Sequence, residues 1–344
     1  LGSLADPNLG AAPFFLNIPG STTVISDELG SPFAEEYTLG VTKRLGSRGV
    51  IRADYVHRDF KDFYSDKIDL TTGKTAGGAD RGLVVNENET LRREYDGIQM
   101  SARYQFSERF GAGGSYTWSN LRGNRVGETA GSGPVSASTL EYPQFREKEW
   151  NFPEGELNSN QTHRLRLWAF YDLISTERHN LNVSLTQSLF SGTGYDAVGV
   201  IDPSPFVNPG LVAQYNTPLT EASYFFTPRS NFELDTLTRT DLAFNYAFFY
   251  RDIEFFVQPE FINLWDESTV VGVDTTVLTS SDTADLDPFD PFSERPLFDP
   301  DLSDNNDPDG FRGNYAYGEN FGEPTADGDF QAPRPFRISL GARF

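Results

Sequence analysis

Hydrophobic and polar residues alternate in nine separate segments of this sequence. The clearest is the last, where every second residue from Phe336 to Phe344 is apolar and those between are polar or glycine. A period of two places the apolar residues on one face of a strand and the polar residues on the other. The pattern predicts strands at about Phe33–Arg44, Val50–Phe60, Arg93–Phe106, Phe110–Ser119, Thr162–Leu173, Asn180–Phe190, Asp235–Phe249, Asp252–Leu264 and Arg334–Phe344.

The lengths of these segments and of their connections favour a membrane protein. Many segments reach the roughly 9–11 residues that a tilted strand needs to cross a bilayer. Connections of about two to five residues alternate strictly with connections of roughly 30 to 70 residues, as in barrels with tight periplasmic turns and long extracellular loops. The pattern predicts an all-β fold, a segment of an antiparallel transmembrane β-barrel in the Gram-negative outer membrane. The carboxy terminus is then periplasmic, and residues 1–32 belong to an extracellular loop.

The strand number predicts that the barrel contains more than this chain. Nine strands in lipid leave two open edges, each unpaired backbone group costing several kcal/mol, and bacterial single-chain barrels usually have an even number of strands. No signal peptide is visible at the start, which reads Leu1-Gly2-Ser3-Leu4. We therefore expect residues 1–344 to be the carboxy-terminal portion of a larger barrel, or else one strand escapes the pattern.

Composition limits the other possibilities. A formal charge of -22 argues against a nucleic-acid partner, because non-specific binding to nucleic acid needs a basic surface. The mean hydropathy of -0.46 looks soluble, but barrel strands are apolar only at alternate positions. Aromatic residues make up 14% of the chain, either as a soluble core or as two interfacial belts. Cysteine is absent, which excludes disulfides and thiolate metal sites.

The longest predicted loop is acidic and rich in proline. Between Ser281 and Gly310 it carries ten carboxylates against Arg295 alone. One interpretation is a solvated, partly disordered loop; the other is a weak Ca²⁺ site, because Ca²⁺ takes six to eight oxygen ligands. Asp301, Asp304, Asp307 and Asp309 are the candidate ligands. The stretch lacks the flanking helices and the closing Glu of an EF-hand, and no other cofactor is expected.

Several short motifs resemble one family. Ser31–Val41 and Arg52–Asp62 together resemble the mid-barrel hairpin of TonB-dependent outer-membrane receptors. Glu94–Gln99 is similar to a strand start that this family writes E-Y-x-G-x-E, and Phe261–Asp266 to its N-L-F-D/N element before the last loop. The terminal Phe344 fits as well, and the long loops resemble the Oar-like branch.

The resemblance implies a 22-stranded barrel of which these are the last nine strands. It also implies an amino-terminal plug domain and a TonB box, neither of which is found here. The implied function is import of a scarce nutrient such as a siderophore, an oligosaccharide or a peptide, with the TonB complex acting through the plug. The alternative is a complete small outer-membrane barrel that serves as an adhesin or as a structural or binding protein.

The candidate functional residues are those on the polar side of the strands. They would face the lumen and contact the plug or the substrate path, or simply form a solvated barrel wall: Arg52, Asp54, Gln99, Arg103, Arg164, Arg166, Asp241, Asn245, Glu254, Gln258, Arg337 and Arg343. The apolar residues of the last strand would contact outer-membrane lipid and signal to the barrel-assembly machinery: Phe336, Ile338, Leu340 and Phe344. His57, His163 and His179 are scattered and no hydrolase motif occurs, so we expect no enzyme.

Overall fold

A computed structural model describes residues 22–68, 81–89, 91–125, 135–136, 153–206, 222–251, 253–291, 293–302 and 312–344 of the chain. At each of the nine predicted positions the described residues contain a strand, eight to 14 residues long. They are β1 (Phe33–Leu45), β2 (Gly49–Lys61), β3 (Arg93–Gln105), β4 (Phe110–Gly123), β5 (His163–Ser175), β6 (His179–Phe190), β7 (Leu237–Tyr250), β8 (Ile253–Phe261) and β9 (Phe336–Arg343).

These strands form one antiparallel sheet in which each strand pairs with the next in sequence. Connections of two to four residues follow β1, β3, β5 and β7, and long connections follow β2, β4, β6 and β8. The predicted all-β fold and its alternation of short and long connections are confirmed. Within the described residues, β1 and β9 are the edges of the sheet and have one partner strand each.

The strand register carries one apolar face across the whole sheet. Leu39 lies opposite Tyr55, Tyr55 opposite Ile98, and Ile98 opposite Trp118. A second row near the other edge runs through Leu181, Tyr246, Val257 and Leu340. Because directly paired residues of antiparallel strands share a face, the alternation read from each strand adds up to one surface, here called the apolar face.

No other described segment of the chain covers the central part of this apolar face. Leu39 is 77% exposed and Leu340 is 68% exposed, and many other large apolar side chains of the sheet are exposed with them. Monomeric soluble proteins rarely expose contiguous apolar patches beyond a few hundred Å². The face therefore requires an apolar environment that the described residues do not supply.

Aromatic rings gather towards both ends of the apolar face. Near the short turns, the ring centroids of Phe106 and Phe110 are 5.1 Å apart and those of Phe110 and Tyr171 are 6.3 Å apart. At the other end, Tyr37 stacks on His57 and Tyr116 on His163. This arrangement supports the interpretation of the aromatic content as two belts.

The opposite face of the sheet is here called the polar face. The pairing between β7 and β8 contains a local break. Pro259 in β8 has no N–H, and the pairing of β7 with β8 lapses between the pairs Ala243–Glu260 and Tyr246–Val257. Beside this gap, the Gln258 Nε2 donates to the Asn245 Oδ1 at 3.2 Å. A side-chain hydrogen bond thus replaces part of the missing ladder.

The two longest described connections pack together into a second small core, here called the loop cap. The cap consists of the described residues of 191–236 and 262–335. Its centre is aromatic: Phe226 stacks on Tyr315 with ring centroids 4.4 Å apart and lies 5.0 Å from Tyr224. Phe289, from the acidic segment, is 6% exposed and packs on Tyr224.

The described part of the acidic loop is therefore largely folded into the cap. Tyr224, Phe225 and Phe226 all pack against buried side chains of the loops. Within the described residues the chain has no helix that is long and apolar enough to span a membrane.

Candidate functional site on the polar face and the loop cap

The register places all twelve candidate lumen residues on the polar face. Asp54 lies opposite Gln99, Glu254 opposite Arg343, and Asp241 belongs to the row that continues through Thr186 to Trp168. Their contact with a plug or a substrate stays a prediction. The period of two is enough to place these residues on one face. The irregularity in β5, between Asp172 and Ile174, lies beyond the candidate residues of that strand.

Several arginines of this face are paired with neighbouring carboxylates. The Arg52 Nε lies 2.6 Å from Asp54, and the Arg343 Nη1 lies 2.9 Å from Glu254 across the β8–β9 pair. Arg239 pairs with Asp241 at 3.1 Å and Arg337 with Glu260 at 3.7 Å. Exposed ion pairs of this kind contribute at most about 1 kcal/mol each to stability. Their main effect is to cancel charge on the polar face.

Other arginines of the polar face, Arg44 near the first short turn among them, have no ion pair with any described residue. Arg103, Arg164 and Arg166 are exposed, and Arg164 and Arg166 both lie over the ring of Phe190, at 5.5 and 5.9 Å. On β5 they are followed by Trp168 and Phe170, whose rings stack at 6.4 Å. The middle of the polar face thus offers cationic and aromatic groups together, a combination suited to anionic or aromatic solutes.

Small residues on β4 make room for these aromatic rings. Trp168 lies opposite Gly113 and Phe170 opposite Gly111. A Cβ at Gly113 would come 2.4 Å from Trp168, and one at Gly111 would come 2.5 Å from Phe170. Glycine at these positions lets the rings lie flat across the neighbouring strand.

A buried ion pair ties the loop cap to the end of β4. The side chains of Arg229 and Asp196 are 4% and 2% exposed and 4.0 Å apart. Arg229 also donates to the carbonyl oxygens of Asn124, at 3.0 Å, and Pro153, at 3.2 Å, while Asp196 accepts from the Ser230 N–H. Burial raises the pKa of Asp196 and lowers the pKa of Arg229, and the attraction between the two charges opposes both shifts.

The Phe261–Asp266 motif forms the turn that leads from β8 into the cap. Asn263 is 1% exposed and has φ +52°, a left-handed conformation that Asn tolerates better than most residues. Its Nδ2 donates to the carbonyl oxygens of Glu267 and Ala332, and its Oδ1 accepts from the Glu267 N–H. Asp266 accepts from the Arg334 N–H at 2.8 Å, which fixes the entry to β9. The motif thus fixes the turn between the sheet and its last loop.

A second buried asparagine, Asn160, has the same kind of role, and the sequence around it gives no sign of this. Asn160 is 3% exposed; its Oδ1 accepts from the Leu121 N–H, and its Nδ2 donates to Glu156 and to the carbonyl oxygen of Ser119. An isolated Asn in a polar loop looks the same whether it is exposed or buried. Asn158 and Ser159 are equally polar, so the sequence does not indicate that Asn160 is the residue that is buried.

The calcium hypothesis receives no support from the described residues. Asp304, Asp307 and Asp309 lie outside them. The backbone N–H of Asp301 donates to the Asp299 Oδ1 at 3.1 Å, and Asp299 also accepts from the Gly313 N–H. Among the residues that the structure describes, no group of three or more acidic or histidine side chains is arranged to hold a metal ion.

The three histidines have structural partners in the sheet. His57 contacts Asp96 at 3.0 Å, His163 contacts the Tyr116 hydroxyl at 2.8 Å, and His179 contacts the Tyr246 hydroxyl at 2.8 Å. Each pair lies near one end of the apolar face. These contacts give the histidines a packing role in the aromatic belts.

The terminal residues predicted as an assembly signal lie on the apolar face. Phe336, Ile338 and Leu340 are 57%, 53% and 68% exposed, and Phe344 is 98% exposed. Three of them belong to β9, which among the described residues pairs only with β8. Recognition of this strand by an assembly machinery stays a prediction.

Comparison with known proteins gives a structural likeness. No protein-family model and no curated protein matches the sequence. The outer membrane transporter YddB from Escherichia coli matches at 13% identity and TM-score 0.47, over 75% of this chain and 32% of that one. BauA, the ferric preacinetobactin receptor from Acinetobacter baumannii, matches at 12% identity and TM-score 0.40, over 69% of this chain and 26% of that one.

FpvA from Pseudomonas aeruginosa, in complex with a pyoverdine and iron, matches at 12% identity and TM-score 0.37, over 70% of this chain and 24% of that one. The chain thus spans about a quarter to a third of the length of the solved structures that it matches. At these identities and TM-scores the likeness concerns the fold.

Proposed function

We propose that this chain is the carboxy-terminal part of the β-barrel of a TonB-dependent outer-membrane receptor that imports a scarce nutrient. The observation that carries the proposal is the uncovered apolar face on nine long strands, backed by a polar face. In a bilayer the apolar face meets acyl chains, each buried Å² contributing roughly 25 cal/mol, and the polar face meets a wet lumen. The short turns then face the periplasm and the loop cap faces outward.

The two open edges support a larger barrel. An unpaired row of backbone groups in lipid costs several kcal/mol per group, so β1 and β9 need further strands beside them. Because nine antiparallel strands leave β1 and β9 running in the same direction, closure of this chain on itself would require a parallel pair. Upstream strands and a plug, as the resemblance implies, would meet both needs.

The cargo that the polar face suits best is anionic or aromatic. Arg103, Arg164 and Arg166 lie on this face without a carboxylate partner among the described residues, and Phe190, Trp168 and Phe170 lie beside them. Ferric siderophores and acidic peptides or oligosaccharides all meet this description. Growth of a deletion strain on each nutrient class as the sole source, with the gene restored in trans, tests which one the receptor imports.

The membrane assignment is tested by placing single spin labels along one strand. The chain has no cysteine, so Leu39→Cys and Val41→Cys on the apolar face and Thr38→Cys and Thr42→Cys on the polar face each give one labelling site. In native outer membranes we expect labels at 39 and 41 to collide with dissolved oxygen and labels at 38 and 42 to collide with a water-soluble nickel complex. Equal nickel access at all four positions contradicts the proposal.

A cross-linking experiment separates the proposal from a complete small barrel. Val41→Cys and Leu340→Cys, combined in one chain, lie on the apolar face of the two edge strands. A closed nine-stranded barrel brings them together and gives an intramolecular disulfide under oxidation. We expect none, because further strands separate β1 from β9.

A further inference from the structure

A groove of about 410 Å³ runs across the apolar face between β1 and β5. Its floor consists of the small residues Ala102, Ala112 and Gly114, and bulky side chains such as Ile51 and Leu167 form its sides. The register explains the groove, because Ala102 lies opposite Gly114 and these two follow Ile51 in one row that ends at Leu167. Small residues at adjacent positions of two consecutive strands leave a channel in an otherwise bulky surface.

The groove offers almost no hydrogen-bonding surface to an occupant. The side chains that enter it are aliphatic, aromatic or absent, and the polar residues of the same strands point to the polar face. A peptide or a polar ligand would lose its hydrogen bonds to water there without replacement, at a cost of about 1–3 kcal/mol per group. A hydrocarbon chain loses none. The chemistry of the groove thus selects a flexible apolar chain.

One cation lies at the end of the groove. Lys43 is on the apolar face, directly opposite Ile51 and two residues before Leu45, and both of these residues line the groove. It makes no ion pair or hydrogen bond with the described residues, whereas Lys61, at the other end of the same hairpin, pairs with Glu35 and Asp59. Lys43 is close to the short turn, which the proposed orientation places at the level of the periplasmic leaflet headgroups.

We infer that the groove and Lys43 together bind one phospholipid of the periplasmic leaflet. An acyl chain occupies the groove and the phosphate pairs with the Lys43 ammonium. This inference rests on the proposed function, because it requires the apolar face to lie in a bilayer. A lysine on a lipid-facing surface is costly at mid-bilayer and favourable beside a phosphate, which accounts for its position near the turn.

Native mass spectrometry of the receptor tests the inference. The receptor as encoded is reconstituted in nanodiscs that contain equal amounts of phosphatidylglycerol and phosphatidylcholine, and retained lipids are counted after release. We expect one retained phospholipid with Lys43, and about fivefold lower retention in Lys43→Gln. Ala102→Phe, which fills the groove and keeps Lys43, should lower retention as well. Lys61→Gln removes a cation of the same hairpin away from the groove and serves as the matched control.

The possible results divide cleanly. Equal phospholipid retention in the wild type, K43Q and A102F overturns the inference. A receptor dimer without bound lipid also overturns it, because a second copy then occupies the groove. The spin label at position 39 distinguishes failure of the lipid site from failure of the membrane assignment. Oxygen access there with no retained lipid refutes the lipid site alone, whereas nickel access refutes the membrane assignment and the site with it.

Discussion

At the scale of single residues, buried asparagines and one buried ion pair hold the loops to the sheet. Asn263 combines a left-handed backbone with a side chain that makes three hydrogen bonds. Asn can take this φ at low cost and can both donate and accept, which no other residue of its size does. Backbone geometry and side-chain hydrogen bonding therefore explain Asn263 in the Phe261–Asp266 motif.

Substitution of Asn263 should separate the two contributions. We expect Asn263→Ala to lower the free energy of unfolding by about 2–4 kcal/mol, because it loses the hydrogen bonds and strains the backbone. Asn263→Gly should recover only the backbone part. The midpoint of urea unfolding followed by tryptophan fluorescence measures both. Asn245→Ala, at an exposed hydrogen-bonded position, is the control, and equal losses in N263A and N245A would contradict the account.

The buried Asp196 predicts a pH dependence of the loop cap. Burial raises its pKa above the ordinary 3.8, so the folded chain holds this proton more tightly than the unfolded chain. The contribution of Asp196 to stability is therefore greatest below pH 3.8 and is lost as the pH rises through the raised pKa. Asp196→Asn, which can still accept from Ser230, should lack this step. Protease resistance of the cap, measured against pH in both proteins, tests it, and superimposable profiles would reject it.

At the scale of elements, the alternation of side chains was enough to predict every long strand. All nine predicted segments overlap the observed strands, with differences of a few residues at their ends. The bulge between Asp172 and Ile174, where β5 gains a residue relative to β6, shifts the end of β5 from about Leu173 to Ser175. A bulge breaks the period of two locally, which is why the pattern placed the end too early.

The pairing of glycine with an aromatic ring across strands gives an element-scale prediction. A Cβ at Gly341 would come 2.3 Å from the ring of Phe256, and the three nearest atoms all belong to that ring. We expect Gly341→Ala to destabilise the chain by about 1–3 kcal/mol through this overlap. In a Phe256→Ala background the same change should be neutral or stabilising, because glycine is a poor strand residue. A double-mutant cycle of urea midpoints measures the reversal, and additive effects would disprove the contact.

At the scale of the whole molecule, the loop cap and the nine-stranded sheet are packed in different ways. The loop cap has an aromatic core of its own, centred on Phe226, Tyr224 and Tyr315. The sheet, in contrast, leaves its apolar face uncovered and depends on its surroundings. The cap contains hydrogen bonds between its two loops. The Thr279 hydroxyl of the β8–β9 loop donates to the Val200 carbonyl oxygen of the β6–β7 loop at 2.8 Å.

The loop cap and the sheet should respond differently to one substitution. We expect Phe226→Ala to cost the cap about 2–4 kcal/mol by removing its central ring, so that protease cuts the cap readily. The sheet should keep its heat-modifiable migration on gels, because its stability comes from strand pairing and lipid. Leu297→Ala, at a 56% exposed position of the cap, is the control. Loss of heat-modifiability in F226A would show that cap and sheet fold as one unit.

The sequence by itself determined the strands, their two faces and the order of short and long connections. These features are local: a period of two and the distance between breaks can be read without knowing which strands meet. The tertiary structure alone decided which loops share a core, that Asn160 and Asn263 are buried, that Arg229 meets Asp196, and that small residues of β3 and β4 align into a groove. Those facts depend on contacts between residues far apart in the chain, which no local pattern encodes.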